Sequence, residues 1–244
     1  MRKIIYVLII TLLIGSLLIS SYFILKNNNE DREQEEIYEN IQEIAQNNNE
    51  KENNEEESIN MDSLYYINND IVGWIKIYNT QINFPVMQTK DRPNYYLRKD
   101  FYNNYSQWGT PYLSENCDIT TSDNLIIYGH HIKNYKMFGE LEKYKKKEYY
   151  ESHKIIKFYT MDKSEEYEII FVFTTTVYDN KGFKYYQYYN LSSKSEFDTF
   201  INKCKELSIY STDNTIDYGE KFLTLSTCEY SRTNGRLVVV AKKI

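Results

Sequence analysis

The sequence predicts a mostly β domain, an antiparallel barrel or sandwich with a few appended helices, behind an N-terminal apolar helix. Three observations lead there. Runs rich in Ile, Val, Phe, Tyr and Thr recur from Met61 onward. Helical patterns between them are few. A stretch of 22 residues near the start, 4–25, carries no charge.

That stretch, IIYVLIITLLIGSLLISSYFIL, would span roughly 33 Å as a helix, enough to cross a bilayer's hydrocarbon core. Arg2 and Lys3 precede it and acidic sequence follows, so the positive-inside rule predicts a cytoplasmic N-terminus and an extracellular remainder. The run exceeds a usual signal-peptide core and no A-x-A-like site follows, which favours an uncleaved, single-pass anchor over residues 1–26. Residues 27–60 hold 12 acidic and 2 basic residues. They read as a solvated acidic tether, with a short helix where Ile37, Ile41 and Ile44 fall at i, i+4, i+7.

The remaining 61–244 form the domain. Strand character marks VGWIKIYNT (72–80), INFPVMQT (82–89), NLIIYGHH (124–131), KIIKFYT (154–160), EEYEIIFVFTTTV (165–177), KFLTLSTC (221–228) and RLVVVAKK (236–243). Helices are expected at 62–69, around 94–98, at 137–144 and at 193–208. In the last of these Phe197, Phe200, Ile201, Cys204 and Leu207 share one face, with Ser195 and Asp198 as the expected cap. That makes Cys204 a small core residue. With 26 Tyr against 8 Gly and 3 Pro, the chain is neither collagen-like nor a Pro/Gly-rich disordered sequence. Taken alone, 61–244 are close to neutral, so nucleic acid is not an expected partner. The basic cluster Lys143 to Lys147 reads as a solvated helix end.

Three cysteines, Cys117, Cys204 and Cys228, leave at least one thiol unpaired in an exported domain. The absence of C-x-x-C argues against zinc ribbons and thioredoxin-like motifs, and H-E-x-x-H is absent too. No metal or cofactor is expected. Cys117, in LSENCDI, reads as an incidental loop-edge residue. Cys228 ends an apolar strand. A catalytic thiol needs a base or positive group nearby, and the chain has only three histidines, His130, His131 and His153. His130 and His131 end another strand, just after Gly129. If 221–228 and 236–243 form a hairpin, Arg236 faces Cys228 across its open end. There a guanidinium could hold an oxyanion together with the N–H that follows Cys228. Arg232, inside the connection, is less constrained. Each residue also has a plain reading: a structural thiol, a surface or metal-site His pair, a solvated edge charge. The pattern of residues alone leaves these open.

TLSTC followed by RLVVVA resembles the TLxTC…R signature of sortases. YGHHIKNYKMFGELEKY (128–144) resembles the strand–Gly–His–helix segment of class B sortases. NYYLRKDFYNNYSQWGTPYLSE (94–115) is similar to the class B segment around the substrate groove, and a helix inserted before the cysteine strand is also a class B trait. The resemblance covers about 62–244. Papain-like proteases, by contrast, place Cys before His along the chain.

The resemblance implies an eight-stranded sortase-type β-barrel and a cysteine transpeptidase. It implies Cys228 as nucleophile, His130 as general acid/base and Arg236 as the oxyanion residue. The family's catalytic His directly follows the Gly, and strand alternation turns His131 the other way. Asn94, Tyr96, Leu97, Ser226, Thr227, Glu229, Tyr185 and Tyr186 are the implied substrate-binding residues. The implied partners are surface proteins bearing a C-terminal sorting motif (NPxTN or (N/S)PxTG) and a lipid-linked peptidoglycan-precursor amine, with no metal. A pilin-polymerising sortase and a non-catalytic wall-binding module are the alternatives.

Overall fold

The apolar runs of the domain pair edge to edge until no edge is left. In the computed structural model, which describes residues 2–46, 58–178, 181–212 and 214–244, eight strands form a closed barrel. They are β1 (Ile71–Ile77), β2 (Asn83–Met87), β3 (Tyr112–Leu113), β4 (Asn124–Tyr128), β5 (Ile155–Tyr159), β6 (Ser164–Thr176), β7 (Phe222–Glu229) and β8 (Gly235–Lys243). Around the barrel the order is β1-β2-β3-β4-β7-β8-β6-β5. Closure removes the exposed edges that an open sheet would present for aggregation.

The expected runs all appear as strands, but the sheet is mixed and not antiparallel. β2–β3 and β4–β7 are parallel pairs. The parallel partner of β4 lies almost a hundred residues further along the chain, a separation that local patterning does not encode. β3 has two residues and no alternation to read. The β4–β7 register, from Asn124↔Phe222 to Tyr128↔Ser226, is the feature that places the site. Parallel strands end at the same rim.

Trp74, Ile126, Phe158, Phe173, Leu225 and Val238 are buried in the domain. At the base of β4, Asn124 is buried among them. It accepts from Thr224 Oγ1 (2.8 Å) and donates to the Tyr188 carbonyl (3.0 Å), so its amide is satisfied and ties β7 to the segment before the inserted helix.

Among the described residues there are four α-helices: α1 (Arg2–Gln46), α2 (Met61–Ile67), α3 (Lys147–Ser152) and α4 (Lys194–Leu207). Shorter 3₁₀ segments include Tyr95–Arg98 and Phe138–Lys145. The α4 face is the expected one. Phe197, Phe200 and Cys204 are buried, and the Phe200 ring lies 5.9 Å from that of Phe222. Its cap differs. Ser193, in extended conformation, accepts from the Glu196 N–H, and the Glu196 carboxylate reaches back to the Ser193 N–H. Asp198, expected to share the cap with Ser195, pairs instead with Lys194 at 2.6 Å. Ser193 precedes the first helical residue and so has the non-helical backbone a cap requires, whereas Ser195 already lies inside the helix.

α1 runs unbroken from the apolar stretch into the acidic one, where only a short helix around Ile37–Ile44 is expected. Its ion pairs Lys26–Glu30 (3.7 Å) and Arg32–Glu36 (3.8 Å) have i,i+4 spacing and are solvent-exposed, so each adds little. Among the described residues it is the one helix long and apolar enough to cross a membrane, and none of its apolar window is buried. The chain divides into two compact units between Glu43 and Ile44. The later part of the expected tether, 47–57, lies outside the described residues.

Phe200→Ala should destabilise the domain by about 3–5 kcal/mol, through lost transfer energy and the cavity left under α4. Urea unfolding of the purified chain measures this, and a change below 1 kcal/mol would mean that α4 is not packed as described.

Candidate active site

Of the three cysteines only Cys228 reaches the surface; Cys117 and Cys204 are buried and all three are free. Burial pushes the Cys117 thiol up to about 11, and its Sγ lies 3.5 Å from the Asn124 carbonyl. Burial also raises Cys204 well above the ordinary thiol value. Neither is poised to be a thiolate. Of the histidines, His153 follows α3, with Nδ1 2.9 Å from the Tyr149 carbonyl and its ring stacked on that tyrosine at 4.1 Å.

His130 and Cys228 meet the rim through the parallel pair. Continuing the register two residues past Tyr128↔Ser226 sets His130 level with Cys228. Two bonds hold that continuation: the Gly129 N–H donates to the Ser226 carbonyl (3.1 Å), and Thr227 Oγ1 donates to the Gly129 carbonyl (2.8 Å). A glycine is required before His130, because a Cβ there would stand 2.5 Å from the Phe138 ring. Phe138 in turn donates its N–H to the His130 carbonyl at 2.9 Å.

His130 Nε2 lies 2.7 Å from the Leu97 carbonyl. A carbonyl only accepts, so Nε2 carries the proton, and Nδ1 is the nitrogen left for exchange with another group. Burial lowers the imidazole's pKa from its ordinary value; the Leu97 bond opposes this and the Arg98 charge adds to it. The Leu97 carbonyl is itself held by a close approach. Gly109 sits at φ +60°, and a Cβ on it would lie 2.6 Å from the Leu97 oxygen. Sequence reasoning missed this carbonyl, since its position depends on a backbone fold and not on a side-chain type.

Arg236 is the register partner of Cys228 across β7–β8, as the hairpin expectation required, and is half-buried. Its Nη1 donates to the Gly235 carbonyl at 2.9 Å. Arg232 turns away, with Nη2 3.2 Å from Thr174 Oγ1.

The remaining expected residues fall into two groups. Asn94 and Leu97 are exposed on the Tyr95–Arg98 turn, and Tyr186 is half-exposed. Asn94 adopts φ 58° and accepts from the Tyr112 hydroxyl at 2.9 Å. Tyr96, Tyr185, Ser226, Thr227 and Glu229 are buried. The Tyr96 hydroxyl joins Asn68 (2.9 Å) and Asp70 (2.8 Å) and so ties the turn to the start of β1. The Tyr185 hydroxyl meets Ser226 Oγ at 2.6 Å. Burial pushes Tyr185 up to about 12, against the Ser226 bond and the Arg236 charge. Tyr112, unremarked in the sequence, is also raised by burial, and the Arg236 charge opposes this.

Glu229 follows Cys228 with its carboxylate held by Lys145 (2.9 Å) and Ser231 Oγ (2.7 Å). Burial would raise its pKa, but these bonds outweigh it and the net shift is downward. The charge of Glu229 therefore stabilises the fold at neutral pH, and that contribution is lost as pH falls through its lowered value. Lys145 is not the solvated helix end that its basic run suggests; it pairs with the carboxylate of the residue after Cys228. Among the described residues no His/Cys/Asp/Glu group of metal-binding kind occurs.

The Sortase domain family model matches residues 75–244. Sortase B of Staphylococcus aureus (strain NCTC 8325 / PS 47) is 36% identical over 186 residues, covering 75% of this chain and 74% of the relative. Sortase B of Listeria monocytogenes serovar 1/2a is 30% identical over 184 residues, with 74% and 72% covered. Among solved structures, a Staphylococcus aureus sortase B–substrate complex superposes with a TM-score of 0.76 at 33% identity, over 88% of this chain and 98% of that one. Clostridium perfringens sortase B superposes with a TM-score of 0.69 at 28% identity, over 75% and 99%.

The lowered pKa of His130 predicts an imidazole that titrates below 6.5 in the folded chain. Protonating it then favours unfolding, and its contribution to stability falls as pH drops toward that value. Histidine side-chain NMR, assigned with His130→Gln, measures the midpoint; a value at or above 6.5 contradicts the burial argument.

Proposed function

This chain belongs to the sortase family, as a cell-wall sorting cysteine transpeptidase of the sortase B kind, and we propose that Cys228, His130 and Arg236 carry its acyl transfer. The observation that supports this most is the pairing of Cys228 with Arg236 across β7–β8, on the strand whose parallel register with β4 brings His130 to the same rim.

In this reading a surface protein's sorting motif, of NPxTN or (N/S)PxTG type, lies over the rim with its Thr carbonyl at Cys228. Neutral His130 takes the thiol proton at Nδ1, leaving a thiolate and an imidazolium. The thiolate attacks the carbonyl carbon. Arg236 and the N–H of Glu229 hold the oxyanion of the tetrahedral intermediate. The intermediate collapses as the imidazolium returns its proton to the departing amine, and a thioester on Cys228 remains. A peptidoglycan-precursor amine then attacks the thioester. His130 takes the amine's proton and returns it to the sulfur as the new amide leaves.

Asn94, Leu97 and Tyr186 would touch the motif directly. Tyr96, Tyr185, Ser226, Thr227 and the Glu229 side chain would shape the groove from within the wall. The reading places residues 1–26 as a single-pass membrane anchor with a cytoplasmic N-terminus, 27–60 as the extracellular tether and 61–244 as the catalytic domain. It is supported by the exposed apolar run of α1 and the positive charges before it.

The test uses quenched-fluorophore peptides carrying NPQTN-like and SPKTG-like motifs, with and without an amine acceptor. Wild-type chain should cleave one class and yield a product joined to the acceptor. Cys228→Ala should abolish turnover. Arg236→Lys should lower kcat by about 10²-fold or more, because a point charge does not replace a two-pronged donor at the oxyanion. Cleavage that survives Cys228→Ala, or a folded wild-type chain that never acylates, would overturn the reading.

A further inference from the structure

His131 is not used by the mechanism above, yet its ring is fixed on the nucleophile's own backbone. Its Nδ1 lies 2.9 Å from the carbonyl oxygen of Cys228. That oxygen only accepts, so Nδ1 carries a proton and donates it. The Cys228 carbonyl and the Glu229 N–H are the two ends of one peptide group. The group is planar and trans, so they point in opposite directions. β7 lies between β4 and β8 in the barrel. Holding the carbonyl toward His131, which follows β4, turns the Glu229 N–H toward β8, where its register partner is Gly235, at the last rung of the ladder and next to Arg236.

His131 is in turn built into place. The loop 131–137 is closed by a β-bridge between His131 and Met137 and by the Phe138 N–H on the His130 carbonyl. Its turn has positive φ at three non-glycine residues, Asn134 (57°), Tyr135 (63°) and Met137 (52°), an arrangement kept only where the surroundings demand it. The His131 ring meets Tyr230 edge-on at 5.1 Å, and the Tyr230 hydroxyl donates to the His131 carbonyl at 3.3 Å. At the other end of the same peptide, Lys145 and Ser231 hold the Glu229 carboxylate. The peptide after the nucleophile is therefore clamped on both flanks.

We propose that His131 is a positioning residue for the reaction: its Nδ1–H anchors the Cys228–Glu229 peptide at the last rungs of β7–β8 and so holds Cys228 opposite Arg236, where the oxyanion develops. This rests on the reading of Cys228 as nucleophile and of Arg236 as the oxyanion residue. A donor aimed at charge that exists only in the transition state acts on kcat and leaves substrate binding unchanged.

The experiment uses the full chain in detergent and the peptide that the wild type cleaves. It measures kcat and KM for His131→Ala and His131→Asn, and the rate at which iodoacetamide alkylates Cys228 in each. Alkylation needs the thiol but forms no oxyanion. The Asn amide nitrogen occupies roughly the place of Nδ1 and restores the donor. His131→Ala should lose about 10–100-fold in kcat, with KM and the alkylation rate each within about 2-fold of wild type. His131→Asn should recover most of the loss. If the alanine variant fails to fold, His131→Phe, which keeps a ring and lacks the donor, carries the same expectation. Three results overturn the proposal: kcat within about 3-fold of wild type in the donor-free variant, equal loss in the Asn and donor-free variants, or alkylation falling in parallel with kcat. A wild-type chain that does not turn over refutes the parent reading and this proposal with it; turnover that is indifferent to residue 131 refutes this proposal alone.

Discussion

The parallel register between β4 and β7 is the constraint on which the site depends. Antiparallel neighbours would put the ends of these two strands at opposite rims, and His130 could not stand level with Cys228. The pairing is secured from within the wall. Asn124 and Thr224 join the strands near one end, and Thr227 and Gly129 join them near the other. Side-chain hydrogen bonds between buried partners specify a register in a way that apolar contacts alone do not, since a slip of one residue would leave each of them unsatisfied. Several residues expected to bind substrate thus have structural duties close to the chemistry.

The same logic extends outward from the strand ends. A glycine admits the Phe138 ring behind His130, and a second glycine lets the 94–98 turn bring the Leu97 carbonyl to its imidazole. Leu97 and Asn94 are exposed on a turn whose anchor, Tyr96, is buried and bonded to Asn68 and Asp70. The positions proposed to face substrate are in this way connected to His130 through the Leu97 carbonyl. Arg236 is half-buried, and its charge is felt by the buried hydroxyls of Tyr112 and Tyr185. In such a setting a guanidinium interacts with developing negative charge more strongly than it would in water.

Much of this was legible in the sequence. Seven strands announce themselves because each has a β-rich apolar run, and the α4 face is readable because its period is helical. The hairpin that opposes Cys228 and Arg236 is a local inference and it stands. What could not be read has a common physical character. The parallel partner of β4 lies far along the chain, and the two residues of β3 have no period. The α4 cap lies two residues before the expected one, because a second hydroxyl–carboxylate pair, Ser195 and Asp198, competes in the sequence with Ser193 and Glu196. The Leu97 carbonyl, the Lys145–Glu229 pair and the His131 bond to Cys228 each join groups made adjacent only by the closed barrel. A lysine in a basic run looks solvated until a buried carboxylate is found beside it.

The central claim is that one rim of the barrel gathers nucleophile, proton carrier and oxyanion donors around a single carbonyl. The most direct measurement is a crystal structure of the chain with a sorting-motif peptide captured covalently on Cys228 through a thioester-mimicking warhead. The account predicts the peptide's carbonyl oxygen, or its mimic, within about 3 Å of both the Arg236 guanidinium and the Glu229 N–H, with His130 Nδ1 facing the leaving-group side. A carbonyl oxygen turned to solvent, or a His130 ring on the far side of the strand from the captured carbon, would contradict it.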